Sequence, residues 1–171
     1  METAYRIRMA QISDAKQAAE VETICFPKEE AADFHSLCLR IQTFPESFLV
    51  AEKDEILIGL INGCVTNERT IRDEMFSDSS CHLPDGEYQA VFGLDVLPAF
   101  RRQGVAARLM KCFIDNARDK GRKGLILTCK EMLIPYYKKF GYQCMGVSRS
   151  THGGAVWYDM VLDLKKGQSD T

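Results

Sequence analysis

The sequence predicts a single domain of the α/β class, in which helices pack on a mixed β-sheet. Segments with the alternating or continuously apolar pattern of strands are interspersed with segments that carry apolar residues at helical spacing. One continuously apolar run, 124–129, is typical of a strand that is covered on both faces. At 171 residues, with no linker or repeat, we expect 1–171 to form one domain with a frayed polar tail over 165–171.

The elements follow the order β α α β β β α β α β β. Alternation and β-forming residues predict strands at 5–9, 48–52, 56–65, 88–97, 124–129, 142–148 and 155–164. Apolar residues at i, i+3, i+4 and i+7 predict helices at 15–25, 28–41, 103–120 and 132–140. Pro27 stops the first helix and Gly121 suits the C-terminal cap of the third. The polar segment 67–87 is predicted to be a long excursion with one helical turn around 71–75.

The composition excludes several classes of partner. A net charge of −2 provides no basic field for nucleic acid or anionic lipid. The apolar runs are far shorter than a membrane span, and the first residues lack the apolar core of a signal peptide. We therefore expect a cytoplasmic protein, monomeric or homodimeric through its last strand, with no nucleic-acid or membrane partner.

The cysteines and histidines do not predict a metal site. Seven cysteines and three histidines are scattered without the paired spacing of zinc ligands. An odd number of cysteines in a cytoplasmic chain also argues against a disulfide framework. We expect small, mostly buried thiols and no metal.

An anion site is predicted where the strand at 91–97 meets the following helix. Pro98 ends the strand, and the basic turn at Arg101 and Arg102 leads into the helix. The unpaired N–H groups and the macrodipole of a helix N-terminus favour a bound anion. Gly104 lets the backbone approach the anion closely.

This turn resembles the acyl-CoA-binding motif of the Gcn5-related N-acetyltransferase (GNAT) superfamily. The family pattern is Arg/Gln-x-x-Gly-x-Gly/Ala after a strand that ends in Val-x-Pro, and this chain reads RRQGVA at 101–106 after VLP at 96–98. A second motif, IPYYKKFGY at 134–142, resembles the family's short helix beneath the cofactor thiol. Together with the element order, the resemblance covers nearly the whole chain.

Within the superfamily the chain is most similar to the arylalkylamine (serotonin-type) N-acetyltransferase branch. The residues that carry this likeness are CKEMLIPYY at 129–137, FRRQG at 100–104 and FPKEE at 26–30. The resemblance implies a GNAT-type fold whose central strands splay apart between 92–97 and 125–129. It also implies transfer of acetyl from acetyl-CoA to a primary amine, by direct attack in a ternary complex. The acceptor would be a small arylalkylamine or a polyamine-like molecule.

The resemblance also assigns residues to acetyl-CoA. The backbone of the splayed strand would hold the thioester carbonyl, and the turn and first helical residues would hold the rest of the cofactor. These residues are Leu94, Asp95, Val96, Arg101, Arg102, Gln103, Gly104, Val105, Ala106 and Ala107.

The motif assigns the general acid more clearly than the base. Tyr137 matches the family's proton donor to the leaving thiolate. The vertebrate branch carries a histidine pair at positions that are Ala90 and Phe92 here, so the base must differ. Glu29 and Glu30 are candidates, although the same residues also suit the solvated first turn of a helix. Asp95 is another candidate, but strand alternation places its side chain opposite those of its neighbours.

Two alternative functions stay open at this stage. A protein or peptide N-acetyltransferase would need a wider acceptor groove with open flanking loops. A module that binds acyl-CoA without turnover would explain the missing histidines, but it would leave Tyr137 without a role. The acceptor itself is not identified by the sequence.

Overall fold

The computed structural model describes residues 4–164, and the predicted frayed tail at 165–171 lies outside the described residues. Within 4–164 the strands are β1 (Arg6–Met9), β2 (Phe48–Lys53), β3 (Ile56–Asn62), β4 (Val65–Thr66), β5 (Tyr88–Val91), β6 (Gly93–Val96), β7 (Gly124–Cys129), β8 (Gln143–Val147) and β9 (Tyr158–Asp163). The helices in the same range are α1 (Ala15–Cys25), α2 (Phe34–Thr43), α3 (Glu74–Ser77), α4 (Val105–Asp119) and α5 (Ile134–Lys138). The predicted mixed α/β class is confirmed.

The described strands form two sheets that separate in the middle of the molecule. One sheet has the order β1-β2-β3-β6, and the other has the order β4-β5-β7-β9-β8. β5 runs parallel to β7, from Tyr88 opposite Gly124 to Val91 opposite Leu127. One residue later the chain changes partner, and β6 pairs antiparallel with β3. A gap therefore opens between β6 and the end of β7, as the resemblance predicts.

The change of partner divides two strands that the sequence predicts as continuous. The predicted strand 88–97 is interrupted at Phe92, and the predicted strand 56–65 is interrupted at Gly63 and Cys64. Apolar residues continue through both interruptions, so periodicity alone does not reveal them. Backbone hydrogen bonds still form at both interruptions. The Phe92 N–H donates to the Asn62 carbonyl at 2.7 Å, and the Ala90 N–H donates to the Cys64 carbonyl at 2.8 Å.

Helices cover both faces of the first sheet. One face of α4 is buried in the main core, through Val105, Leu109, Met110, Phe113 and Ala117. A second cluster fills the space between α1, α2 and strands β2 and β3, with Leu37, Phe48 and Leu60 fully buried. Burying each such side chain contributes about 1.5–3 kcal/mol, so these faces hold α1 and α4 on opposite sides of β6. No helix within 4–164 is long and apolar enough to cross a membrane.

Several predicted boundaries are wrong, and the largest error concerns α2. It begins at Phe34 instead of 28 or 29, because Asp33 caps it by accepting from the Ser36 N–H at 2.8 Å. Residues 27–31 instead form a turn, in which the N–H groups of Glu30 and Ala31 donate to the Pro27 carbonyl. The other predicted elements begin or end a few residues away from the observed bounds, and the helical turn expected at 71–75 lies at Glu74–Ser77.

A charged network fixes the start of α1 against the first sheet. The Arg8 guanidinium donates to both Asp14 carboxylate oxygens, at 2.8 and 2.9 Å, and to Glu52 at 2.9 Å. Asp14 also accepts from the Gln11 N–H at 2.7 Å. The hydrogen bonds from Arg8 outweigh the effect of burial and lower the pKa of the Asp14 carboxyl. The network thus connects the residues just before α1 to β1 and β2.

We predict that Asp14→Asn lowers the free energy of unfolding by about 1–2 kcal/mol at pH 7. The folded-state pKa of Asp14 is lowered, so its contribution is present above the unfolded pKa and is lost as the pH falls through the folded pKa. Denaturant unfolding should therefore show a difference from the parent that narrows between about pH 5 and pH 2. Asp163→Asn is the control, because its ion pair with Arg69 is exposed and should contribute less than about 0.5 kcal/mol. A pH-independent difference at Asp14 would contradict the electrostatic explanation.

Candidate active site

A first cavity of about 440 Å³ lies where β6, the start of α4 and α5 meet. Nine of the ten residues that the resemblance assigns to acetyl-CoA line it: Leu94, Asp95, Val96, Arg101, Arg102, Gly104, Val105, Ala106 and Ala107. The exception is Gln103, which is exposed and whose side-chain amide donates to the Ala99 carbonyl at 3.3 Å. The cavity continues to Tyr136 and Tyr137 on α5.

The turn before α4 has the geometry of an anion cradle. Gly104 has a φ of 82°, and nothing lies within 4 Å of a Cβ placed on it. Arg102 also has a positive φ, of 62°, so the turn curls back over the helix start. The first N–H groups of α4 have no carbonyl partner within the helix and are directed into this space. α4 begins at Val105, two residues later than predicted.

Arg101 is placed differently from a simple surface charge. Its Nε donates to the Val96 carbonyl at 2.9 Å, and the Cys25 thiol donates to the same carbonyl at 3.4 Å. Both arginines are exposed, but the Arg101 guanidinium is held against the end of β6, whereas the Arg102 side chain makes no hydrogen bond within 4–164 and can reach an anion.

The splay leaves backbone groups of β6 without a partner strand. The Leu97 N–H donates to the Ile58 carbonyl, which fixes the alternation along β6. Asp95 therefore directs its backbone groups to β3, while Leu94 and Val96 direct theirs into the gap. The contacts of the Val96 carbonyl with Arg101 and Cys25 agree with this direction. Leu94 and Val96 thus offer the N–H groups that a thioester carbonyl needs.

A second cavity, of about 270 Å³, lies on the other side of the splay. It shares Cys25, Phe26, Leu94, Leu133 and Tyr137 with the first cavity. Its remaining walls carry further aromatic side chains: Phe76, Phe92, His152 and Trp157. The two cavities therefore meet at Tyr137.

Two loops close over the second cavity. Asp73, just before α3, accepts from the Ser150 hydroxyl and from the Thr151 N–H, the latter at 3.1 Å. The Phe76 ring stacks on His152 with centroids 4.5 Å apart. The Trp157 Nε1 donates to the His152 carbonyl at 2.7 Å. These contacts join the excursion between β4 and β5 to the connection between β8 and β9.

Tyr137 lies at the junction of the two cavities. Its ring packs edge-on against Tyr136 and Tyr142, and its hydroxyl makes no hydrogen bond to another residue within 4–164. Burial, together with nearby Cys129, raises the pKa of Tyr137 above its usual value, so the hydroxyl keeps its proton throughout the neutral and mildly alkaline range.

The two glutamates predicted as bases are not equivalent. Glu29 is exposed and lines neither cavity. Glu30 lines the second cavity, but its carboxylate accepts from the Lys130 ammonium at 2.9 Å. The alternative interpretation, a solvated first helical turn, is wrong, because residues 27–31 form a turn outside α2.

The structure brings together a buried acidic pair, Glu22 and Asp95, of which the sequence had indicated only Asp95 as a candidate. Glu22 lies on the buried face of α1 and Asp95 on β6, and their exposed fractions are 4% and 1%. A Cβ placed on Gly93, between them, would lie 3.1 Å from Asp95 Oδ1 and 3.3 Å from Glu22 Oε2. The sequence signal was a glutamate within the apolar stripe of α1. Asp95 does lie opposite Leu94 and Val96, as alternation predicts, and there it meets Glu22.

A buried arginine lies near this pair without pairing with it. Arg40 donates to the Asn62 side chain at 3.0 Å and to the Phe76 carbonyl at 2.8 Å. Within 4–164, Glu22 Oε2 and both Asp95 carboxylate oxygens have no hydrogen-bond donor. Burial, followed by the charge of Glu22, raises the pKa of Asp95 well above its usual value. Residues 4–164 also contain no cluster of three or more metal-ligating side chains.

Comparison with known proteins places the chain in a large family. Residues 13–142 match the Acetyltransferase (GNAT) family. Serotonin N-acetyltransferase of Mesocricetus auratus is 25% identical over 138 residues, which cover 80% of this chain and 62% of that protein. The chain thus spans less than two thirds of the length of that relative.

Solved structures share the fold at low sequence identity. The loading GNATL domain of CurA from Lyngbya majuscula superposes with a TM-score of 0.80 at 14% identity, covering 94% of this chain and 98% of that one. The structure of yncA from Salmonella typhimurium with its cofactor acetyl-CoA gives a TM-score of 0.68 at 16% identity, covering 96% of each chain. These likenesses establish the fold.

We predict that Gly104→Glu weakens acetyl-CoA binding by at least 100-fold, on the order of 3 kcal/mol, because a carboxylate would occupy the cradle at the start of α4. Gly121→Glu is the matched control, since Gly121 has a φ of 75°, lies at the other end of α4 and has open space around its Cβ position. Both variants impose the same kind of backbone strain, of about 1–2 kcal/mol. Calorimetric titration with acetyl-CoA measures the effect, and equal affinities for the two folded variants would refute the assignment.

Proposed function

Because the chain belongs to the acetyltransferase (GNAT) family, we propose that it transfers the acetyl group of acetyl-CoA to the nitrogen of a small primary amine. The observation that carries the proposal is the meeting of two cavities at Tyr137, one with an anion cradle and one with aromatic walls. An arylalkylamine fits the second cavity better than a linear polyamine, because aromatic faces bind an aryl group and also attract an ammonium.

The residues of the first cavity suit acetyl-CoA. The start of α4 and Arg102 would hold its phosphates, and the open space at Gly104 is the room that a close backbone approach requires. The N–H groups of Leu94 and Val96 would hold the thioester carbonyl oxygen as negative charge develops on it. When bound, the cofactor supplies an activated acetyl group. Splayed strands and a fixed turn present it to the second cavity.

Tyr137 is suited to give a proton to the departing thiolate. It lines both cavities, so its hydroxyl can reach a sulfur placed at their junction. The burial that raises its pKa also raises the proton affinity of a thiolate at the same place, which keeps donor and acceptor matched. The position of Tyr137 therefore supports an enzyme that turns over acetyl-CoA, in preference to a module that only binds acyl-CoA.

The closed loops favour a small acceptor over a peptide. Asp73 with Ser150 and Thr151, and Phe76 with His152, cover the second cavity from two sides. A peptide would need both contacts to open, whereas an arylalkylamine requires space of the order of the 270 Å³ that is present.

The function is tested by steady-state thiol release from acetyl-CoA with an acceptor panel. The panel contains 2-phenylethylamine, tryptamine, a linear polyamine and a short peptide with a free N-terminus. We expect the arylalkylamines to give the highest kcat/KM. Turnover with the peptide alone would favour the protein N-acetyltransferase alternative, and acetyl-CoA binding without turnover on any acceptor would favour the binding module.

We predict that Tyr137→Phe lowers kcat by about 10- to 10³-fold and leaves the acetyl-CoA dissociation constant nearly unchanged, because the hydroxyl acts when charge develops on sulfur. The raised pKa means that the parent should show no alkaline loss of activity from this residue below about pH 10. Tyr136→Phe is the control, since Tyr136 is the neighbouring half-buried tyrosine of the same helix. Equal kcat values for Tyr137→Phe and the parent would remove the residue from the mechanism.

A further inference from the structure

Building on the proposed function, we propose that the buried carboxylates of Glu22 and Asp95 form the base of the reaction, with Glu22 as the catalytic residue and Asp95 as its positioning partner. The two groups come from different elements, α1 and β6, and converge beside Gly93 at the inner end of the second cavity. This place lies next to the junction at Tyr137.

The location of each carboxylate supports this assignment. Glu22 lines the second cavity and Asp95 lines the first, so the pair forms part of the wall between them. The amine must attack across this wall, through the splay. A base for its proton must therefore lie within the wall, and the exposed Glu29 does not.

The hydrogen bonding of the pair leaves three carboxylate oxygens without a donor. Glu22 Oε1 accepts from the Ala32 N–H at 2.8 Å, which fixes the side chain. Glu22 Oε2 and both oxygens of Asp95 have no donor within 4–164, although both side chains are more than nine-tenths buried. A buried acceptor without a donor is costly, and an ammonium or a shared proton would satisfy both groups at once.

Gly93 keeps this space open. Its missing side chain leaves room beside the two carboxylates, since a Cβ there would lie 3.1 Å from Asp95 Oδ1 and 3.3 Å from Glu22 Oε2. A glycine at this position therefore leaves space for the two carboxylates to lie side by side where the chain passes from β5 to β6.

The surrounding charges favour uptake of one proton by the pair. Arg40 on α2 is the nearby cation, and it remains protonated while donating to Asn62 and the Phe76 carbonyl. The other titratable groups around the pair are Cys25 on α1, whose pKa burial raises, and Tyr137 on α5. Arg101 lies beyond Cys25. Two ionised carboxylates opposite one guanidinium leave a net negative charge, and one added proton neutralises it.

The proton balance of the step is complete. The step starts from the form of the pair in which both carboxylates are ionised. Glu22 takes one proton from the ammonium, and Asp95 shares it. The nitrogen then forms the C–N bond to the acetyl carbon and loses its second proton to solvent through the cavity, while the C–S bond breaks. Tyr137 gives its proton to sulfur and is reprotonated from the pair. The products are the amide and coenzyme A thiol, with one proton released to solvent.

The test compares Glu22→Gln and Asp95→Asn with the parent over a pH series. Gln keeps the acceptor for the Ala32 N–H, and each variant leaves one carboxylate opposite Arg40, so both should fold with a Tm at or above that of the parent. Glu22→Gln should lower kcat/KM for 2-phenylethylamine by about 10²- to 10⁴-fold. The loss should be below 10-fold for 2,2,2-trifluoroethylamine, a weakly basic amine that arrives already neutral.

Asp95→Asn should move the acid limb of kcat/KM to lower pH by at least one unit, because Glu22 loses the like charge that raises its proton affinity. Its maximal rate should fall by less than that of Glu22→Gln. Glu20→Gln, at an exposed position of the same helix, is the matched control with parental rates. If Glu22 and Asp95 only stabilised the fold, their substitution would lower Tm and leave the acid limb of kcat/KM at the pH found for the parent.

A readout independent of turnover is the infrared C=O stretch of a protonated carboxyl group. The parent should show this band at pH values below its acid limb, and Glu22→Gln should lack it at the same pH because Asp95 then ionises opposite Arg40. Absence of the band in the parent would overturn the inference, as would parental kcat/KM for Glu22→Gln or a larger loss in Glu30→Gln. If the parent acetylates no amine, the proposed function fails, while the band alone still decides whether the pair holds a proton.

Discussion

The change of strand partner between Val91 and Gly93 is the constraint on which the rest of this molecule depends. Up to Val91 the chain is a central strand of the second sheet, and from Gly93 it is the edge of the first. An uninterrupted sheet would use both edges of β6 for ladder hydrogen bonds and would leave no gap. Because the partner changes, the backbone of Leu94 and Val96 faces open space, and the two cavities reach each other through the protein.

The elements around the gap are held by packing that is independent of any ligand. α4 is fixed by its buried face and α1 by the Arg8 network and the cluster beneath it. The C-terminus of α4 is also capped, because the Gly121 N–H donates to the Arg118 carbonyl and the Arg122 N–H donates to the Ala117 carbonyl. A rigid frame of this kind lets the start of α4 stay open, so that its free N–H groups serve binding instead of stability.

The buried polar residues at the splay are costly for stability and therefore informative about function. Glu22, Arg40, Asn62 and Asp95 are all nearly inaccessible, yet each has at least one side-chain atom without a partner within 4–164. A hydrophobic replacement of such groups is often neutral or stabilising. Unpaired polar groups concentrate where a site needs them, and here Glu22 lines the second cavity and Asp95 the first.

The sequence by itself determined the α/β class, the order of most elements, the turn at 101–106 and the place of Tyr137, because each depends on residues close together in the chain. Only the tertiary structure decided where β5 gives way to β6, since apolar residues run through Phe92 and the partner strands come from distant segments. The start of α2 was decided by the Asp33 cap, which competes with an equally plausible start after Pro27. The pairing of Glu22 with Asp95 was likewise beyond the sequence, because a helix face and a strand meet there only after the sheet has formed and α1 has packed on it.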